Sequence, residues 1–407
     1  MMQLRRLMRA RPIDEVGRVS TPLELIFDLT FVVAVSLLVD AVATELVHGN
    51  GWIIIPRFLM VFFAIWWAWN QFTWLASAYD TDDIPYRLLT MVQMAGVLVL
   101  ASGVPQAFNY DNWTVVTIGY FIMRVGLVVS ISRAIRDDTD TGRVAMRYVI
   151  GISVLQVFWL LRLLVPPGHG AVNISFLILA VAELLVPLWA DRAGGINVHA
   201  GHLADRHGSF MLILLGESVL AATTAFRDVL ADVELDVMLV ATGLTALVIL
   251  FALWWIYFEE PAAERLEANR RRAFTFAYGH FVVFAALALV GAGLEVVVND
   301  VSGHAPLNGV IAAGAVAWPT AIFVLSLWAV HVPFAAIRSL DSGATWLIAI
   351  LVAAAPFTAV WIGTLWCTIL IALLLVALVV WVLTKRQRET SAAAASIDEH
   401  YLQEGGA

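Results

Sequence analysis

Long apolar runs alternate with short polar connectors along the whole chain. The runs fall at roughly 22–46, 53–77, 86–106, 113–133, 144–165, 172–190, 207–226, 235–258, 272–297, 308–331, 343–361 and 363–384. Each is long enough to cross a hydrocarbon layer of about 30 Å as a helix rising about 1.5 Å per residue. None shows the strict two-residue alternation of a membrane barrel strand. The pattern predicts an all-α, polytopic membrane bundle of about twelve helices. Pro356 and Gly363 mark the break between the last two runs. Outside the runs we expect a basic, mobile arm over residues 1–18, a His-containing connector over 194–206, and a disordered tail over 385–407.

Composition agrees with this pattern. The chain is 61% hydrophobic and 14% charged, against about 25% charged in soluble domains, and its mean hydropathy is +0.85. No basic stripe with interleaved aromatics is present, so nucleic acid is not an expected partner. Cys367 is the single cysteine, which removes disulfides and cysteine-based metal sites from consideration. Arg5, Arg6, Arg9 and Arg11 are not followed by an apolar leader core, so no cleaved signal peptide is expected.

Charge orients the spans. With the amino terminus inside, the inner segments hold Arg5, Arg6, Arg9, Arg11, Arg18, Arg87, Arg133, Arg136, Arg143, Arg147, Arg192, Arg206, Arg265, Arg270, Arg271, Arg272, Arg338, Lys385, Arg386 and Arg388, which is 20 of 24 basic residues. Arg57, Arg162 and Arg227 fall outside, and Arg124 lies within the fourth span. This bias predicts a multi-pass protein of the bacterial inner membrane with both termini cytoplasmic. The lipid bilayer is then the first partner, a small ion or solute the second, and a homodimer a candidate assembly. No cofactor is indicated.

The two halves resemble each other. Ala64–Gln71 reads AIWWAWNQ and Ala252–Glu259 reads ALWWIYFE, 188 positions later. Asp28 and Glu217 are 189 positions apart, and Arg87 and Thr90 are matched by Arg272 and Thr275 at a spacing of 185. We expect two six-helix repeats, over 19–193 and 207–384, inserted in parallel. Paired tryptophans are also ordinary residents of a membrane interface, which is the plainer account of the Trp motif.

Few polar residues lie inside the spans, and they are where chemistry would reside. Glu24 and Asp28 are four residues apart, hence on one helix face. Glu24 suits a helix start or a pair with Arg18. Asp28 suits either an interhelical lock or an ion route. Ser36, Asp40 and Thr44 form a second row nearer the far end. Arg124 requires a carboxylate, for which Asp28, Glu183 and Glu217 are available. Glu217 follows Gly216 and precedes Ser218, in LLGESVLA, and is the residue most suited to a functional role. His199, His202 and His207 could begin a metal site, although Gly201 and Gly208 interrupt them and no HExxH occurs, so solvated or backbone-bonded rings are the plainer expectation. His280 suits a helix-to-helix hydrogen bond or a proton carrier. The connector 259–272 reads as a solvated loop.

Two stretches, RVSTPLELIFDLTFVVAVS over Arg18–Ser36 and HLADRHGSFMLILLGESVLA over His202–Ala221, resemble the bacterial low temperature requirement A (LtrA) family. The resemblance extends over the chain apart from its tails. It implies a polytopic bacterial membrane protein linked by name to growth in the cold, without a reaction or substrate. The first span is also similar to that of a potassium-channel family built from six-helix repeats. That family's Phe-Ser-Asp signature is here Phe27–Asp28, without the serine. Three functions follow as expectations: an ion or small-solute channel or transporter using intramembrane carboxylates, a non-transporting envelope protein of cold adaptation, and a membrane-embedded enzyme.

Overall fold

The computed structural model describes residues 5–10, 12, 15, 18–51, 53–79, 81–138, 141–165, 169–194, 198–232, 236–259, 262–269, 272–305, 307–332 and 342–404. Arg11, Arg270, Arg271 and Arg338, counted above for orientation, lie outside the described residues. Among the described residues the chain is helical throughout, and 12 stretches are long and apolar enough to cross a membrane.

The helices are α1 (Pro22–Val47), α2 (Ile54–Ala78), α3 (Ile84–Tyr110), α4 (Thr114–Asp137), α5 (Gly142–Arg162), α6 (His169–Asp191), α7 (Ala200–Asp232), α8 (Val237–Phe258), α9 (Ala262–Ala268), α10 (Ala273–Val301), α11 (Gly309–His331), α12 (Ser342–Ala354), α13 (Ala359–Ile362) and α14 (Thr364–Glu404). A 3-10 turn over Ala355–Thr358 follows α12, and Gly363, at φ +82°, ends α13. A side chain would strain that left-handed position, which explains why the break falls there.

Three boundaries differ from expectation. α7 starts at Ala200, so the end of the connector 194–206 is helical. The connector 259–272 contains α9, whose Leu266 is buried. α14 continues to Glu404 through the expected disordered tail. Alanine and glutamate over 391–404 are strong helix formers that prolong a helix already nucleated in the span.

The chain forms two compact units. The first comprises residues 1–217 and 262–281, the second 218–261 and 282–407. In the first unit α2 is buried on nearly every side, including Trp66, Trp67, Trp69 and Trp74. A helix apolar all round belongs at the centre of a bundle. The aligned tryptophans of the second unit differ: Trp254 and Trp255 are each 43% exposed, against 1% for Trp66 and 0% for Trp67. Only the later pair suits an interfacial belt.

α3 and α4 approach through glycines. A Cβ on Gly96 would lie 2.8 Å from the Gly119 carbonyl oxygen, and one on Gly119 would collide with the Leu100 backbone. Small residues let membrane helices meet backbone to backbone. In the second unit, Asp300 accepts from the Leu307 amide at 2.7 Å and the Thr364 hydroxyl at 2.5 Å, joining the end of α10 to the start of α14.

The arm is docked where residues 5–10 are described. The amides of Arg6, Met8 and Ala10 donate to Asp83 (2.9 Å), Asp137 (3.1 Å) and Asp138 (2.8 Å). The Met8 side chain enters a buried cluster with Leu75, Tyr79, Ile131 and Ala134. Asp83 also caps α3 through the Tyr86 amide and pairs with Arg133 at 2.5 Å. The expected free arm is thus corrected. Its acceptors lie far along the chain, at the start of α3 and the end of α4, and the Arg5 guanidinium adds an ion pair with Asp137 at 3.2 Å.

Candidate functional site

In the first unit α1 and α7 run side by side in the same sense. Glu24 meets His202, Asp28 meets Arg206, and Ser36 meets Glu217 further along. The start of α1 is set by a capping box: the Thr21 hydroxyl accepts the Glu24 amide at 3.3 Å, and the Glu24 carboxylate accepts the Thr21 amide at 2.7 Å. Such reciprocal bonds satisfy otherwise orphaned donors at a helix start. The same carboxylate accepts from His202 Nε2 at 3.2 Å and lies 3.5 Å from Arg206 Nη1. Glu24 is therefore both a cap and a member of a charged cluster.

One turn deeper, Asp28 accepts from the Trp69 indole at 2.7 Å and from the Arg206 guanidinium. Arg206 also lies over the Phe72 ring, 5.5 Å from its centroid. Glu24, Asp28, His202 and Arg206 are all at most 1% exposed. Arg206 corrects the reading that placed it in an inner loop. It is the buried cation of this site, carried inward because α7 begins before the apolar run.

The histidines have separate duties. His199 Nδ1 accepts the His202 amide at 3.1 Å, as a helix-capping group does, and its Nε2 donates to the Glu15 carbonyl at 2.8 Å. His202 Nδ1 meets the Ser77 hydroxyl at 2.9 Å. His207 donates from Nδ1 to the Leu203 carbonyl at 2.8 Å, and its ring lies 4.8 Å from that of His280, which donates to the Phe276 carbonyl at 2.7 Å. Among the described residues no three His, Cys, Asp or Glu side chains could hold a metal ion.

A second polar group lies deeper in the same unit. Glu183 on α6 accepts from Trp67 (3.0 Å), Gln71 (3.2 Å), Trp159 (3.1 Å) and Arg124 (3.3 Å). Of the three acids the sequence offers Arg124, the structure selects Glu183. Arg124 also donates to the Tyr120 hydroxyl and lies over its ring, 4.3 Å from the centroid. This group is electrically neutral: one acid, one guanidinium and neutral donors.

Glu217 is 3% exposed and bonds the Ser36 hydroxyl, with Asp40 nearby. It does not join the Asp28 group. Ser218, its neighbour in sequence, belongs to the second unit, where it packs against Gly291: a Cβ there would lie 2.9 Å from Ser218 Oγ. Trp69, Ser77, Arg206, Trp67, Gln71 and Trp159 were not among the site residues expected from sequence, although Trp67, Trp69 and Gln71 fall within the Ala64–Gln71 motif. One signal could have found Arg206: it is four residues after His202, as Asp28 is four after Glu24, which puts two complementary pairs at equal spacing.

Chemically, the first cluster can hold or move one proton. With His202 neutral, its Nε2–H donates to Glu24 while Nδ1 accepts from Ser77. Rotating the Ser77 hydroxyl lets Nδ1 carry a proton without breaking the pair.

The chain is 26% identical over 287 residues to an uncharacterized protein, RA0937, of Rhizobium meliloti (strain 1021), covering 66% of this chain and 67% of that one. No solved structure matches. The family described as bacterial low temperature requirement A protein matches residues 19–382, nearly the whole chain between its two tails. The chain belongs to the bacterial low temperature requirement A (LtrA) family.

Proposed function

We propose that the protein passes a proton or a small cation across the membrane, as a channel or transporter, through the Glu24–Asp28–His202–Arg206 cluster. One observation carries this reading. Two carboxylates are buried there with one permanent cation, Arg206, and one imidazole whose charge is variable. Arg18, half-buried at the rim, donates to the Ser77 and Ala76 carbonyls. An uncompensated buried charge costs several kcal/mol. With Arg206 the one cation buried between the carboxylates and Arg18 acting on His202 from the rim, the charge left to vary is a proton on His202 or a carboxylate, or a bound ion. The Arg124–Glu183 group is balanced already, so it serves as a lock between helices.

In this reading Asp28 and Glu24 share Arg206, and protonating one lets the guanidinium move toward the other. In the same reading both termini face the cytoplasm and the bilayer is a bacterial inner membrane; the even span count and the arginine distribution support this. The two halves are read as parallel six-helix repeats, supported by the matching spacings. Cys367 is buried and the sole cysteine, so an impermeant maleimide should label Arg9→Cys and Gln387→Cys only from the cytoplasmic side.

The direct test is flux in liposomes under imposed proton and cation gradients. Wild-type protein should dissipate one of them, and Asp28→Asn should not while still melting as a folded protein. Equal flux in Asp28→Asn would overturn the reading. A second reading, a non-transporting membrane protein linked by family name to the cold, draws on the fact that both carboxylates already have protein donors. It is favoured if wild-type protein moves no cation tested.

A further inference from the structure

At the opposite end of the first unit from Glu24, the end of α3, the start of α4, the end of α5 and Val172 of α6 line a partly open, polar cavity of about 310 Å³. Its wall includes Asp111, Asn112, Trp113, Thr114, Arg162 and Val172. Arg162 is 7% exposed, and its guanidinium lies over the rings of Trp113 at 5.0 Å and Phe176 at 5.3 Å from their centroids. Its Nη2 donates to the Val172 carbonyl at 3.2 Å, and no carboxylate lies within 4.0 Å among the described residues. A cation on the last residue of α5 complements that helix's dipole. This accounts for its position, but not for Nε, which is buried without a hydrogen-bond partner among the described residues.

A second donor is in the same condition. The Trp113 indole N–H, on a residue 5% exposed, has no partner among the described residues. Trp113 also precedes the first turn of α4, whose Thr114 amide donates to the Asn112 side chain at 3.2 Å while the next amides have no side-chain cap from Trp113, so the positive end of a 24-residue helix lies on the same wall. The Asp111 carboxylate lies 3.5 Å from Arg57 and also acts at longer range on Arg162, so one acid is shared by two guanidinium groups. The immediate charges therefore leave one positive charge over, beside two buried donors.

We propose that this cavity binds a small oxyanion, a carboxylate or phosphate group, held by Arg162 and the Trp113 indole N–H at the start of α4. This site is separate from the acidic cluster and does not depend on transport. Guanidinium favours such oxygens through charge-assisted bonds. The group could arrive as a free anion or as the headgroup of an anionic lipid, and the chemistry is the same.

The experiment follows intrinsic tryptophan fluorescence and melting of the full chain in uncharged detergent, titrated with sodium acetate and sodium phosphate. Sodium chloride at equal ionic strength is the control. A saturable change with an oxyanion and none with chloride is expected. Trp113→Phe, which keeps the ring, should weaken binding by about 2- to 10-fold, the range of one neutral hydrogen bond. Arg162→Gln should weaken it at least about 10-fold, as for a bond to a charged group. If Arg162→Gln does not fold, Trp113→Phe carries the test. In nanodiscs, a response that survives phosphatidylglycerol marks a free anion as occupant; one suppressed by phosphatidylglycerol but not phosphatidylcholine marks the headgroup. A response that never saturates, matches chloride, or is unchanged in Trp113→Phe overturns the proposal.

Discussion

Arg206 on α7 binds Asp28 on α1 across 178 positions of sequence, both wholly buried. The pair joins the first span to the helix that opens the second half. Removing Arg206 leaves two buried carboxylates without their shared guanidinium, at about 3–5 kcal/mol, whereas removing the Asp28 charge still leaves Glu24 3.5 Å from Arg206. Arg206→Leu should therefore sharply lower folded yield. Asp28→Asn in that background should restore part of it, measured by size-exclusion yield and thermal melting. An Arg206→Leu single mutant that melts like wild type would remove this pair from the stability of the bundle.

Arg124→Leu should reduce folded yield more than Arg136→Leu at the end of α4, because only Arg124 is buried against Glu183. Adding Glu183→Gln should recover much of the yield, since the amide still accepts from Trp67, Gln71 or Trp159. As a balanced lock, the rescued double mutant should also keep any flux. Recovered yield with lost flux would instead place Glu183 on the ion route.

Gly119 tests the α3–α4 seam. Because its added Cβ would strike the Leu100 backbone, Gly119→Ala should force the helices apart. A destabilisation of about 1–3 kcal/mol is expected from overpacking. Gly170, with open space around it, is the matched control. Equal melting of Gly119→Ala and Gly170→Ala would refute the close approach.

The arm should respond to acid. Burial raises the Asp83 carboxyl, but the Arg133 guanidinium and the amides of Arg6 and Tyr86 outweigh it and hold the group below its ordinary value. The folded value is thus depressed. Its contribution is complete above the unfolded value of about 3.9 and is lost as pH falls through the lower folded value. The protection of the Arg6 and Met8 amides, taken relative to intrinsic exchange at each pH, should fall on acidification through that window. Asp83→Asn should show fast exchange already at neutral pH; slow exchange there would refute the role of Asp83.

The spans were legible because apolar runs of this length have few other uses. Glu24, Asp28, Glu183 and Glu217 stood out because acids are rare inside them. Arg206 did not, because inner-loop arginines are common and α7 starts seven residues before His207. The Glu183 donors were hidden for another reason. An indole N–H within an apolar string looks like packing until the fold brings a carboxylate to it. The docked arm depended on pairs more than 70 positions apart, such as Arg6 with Asp83, which no local pattern reports.

The seating of Met8 has a practical consequence for anyone producing this protein. Asp83 caps α3 and also receives the arm, so whatever pulls on the first ten residues pulls on the start of a span. An affinity tag or fluorescent fusion at the amino end would load that anchorage directly. Handles for purification or imaging are better placed after residue 388, beyond the last span.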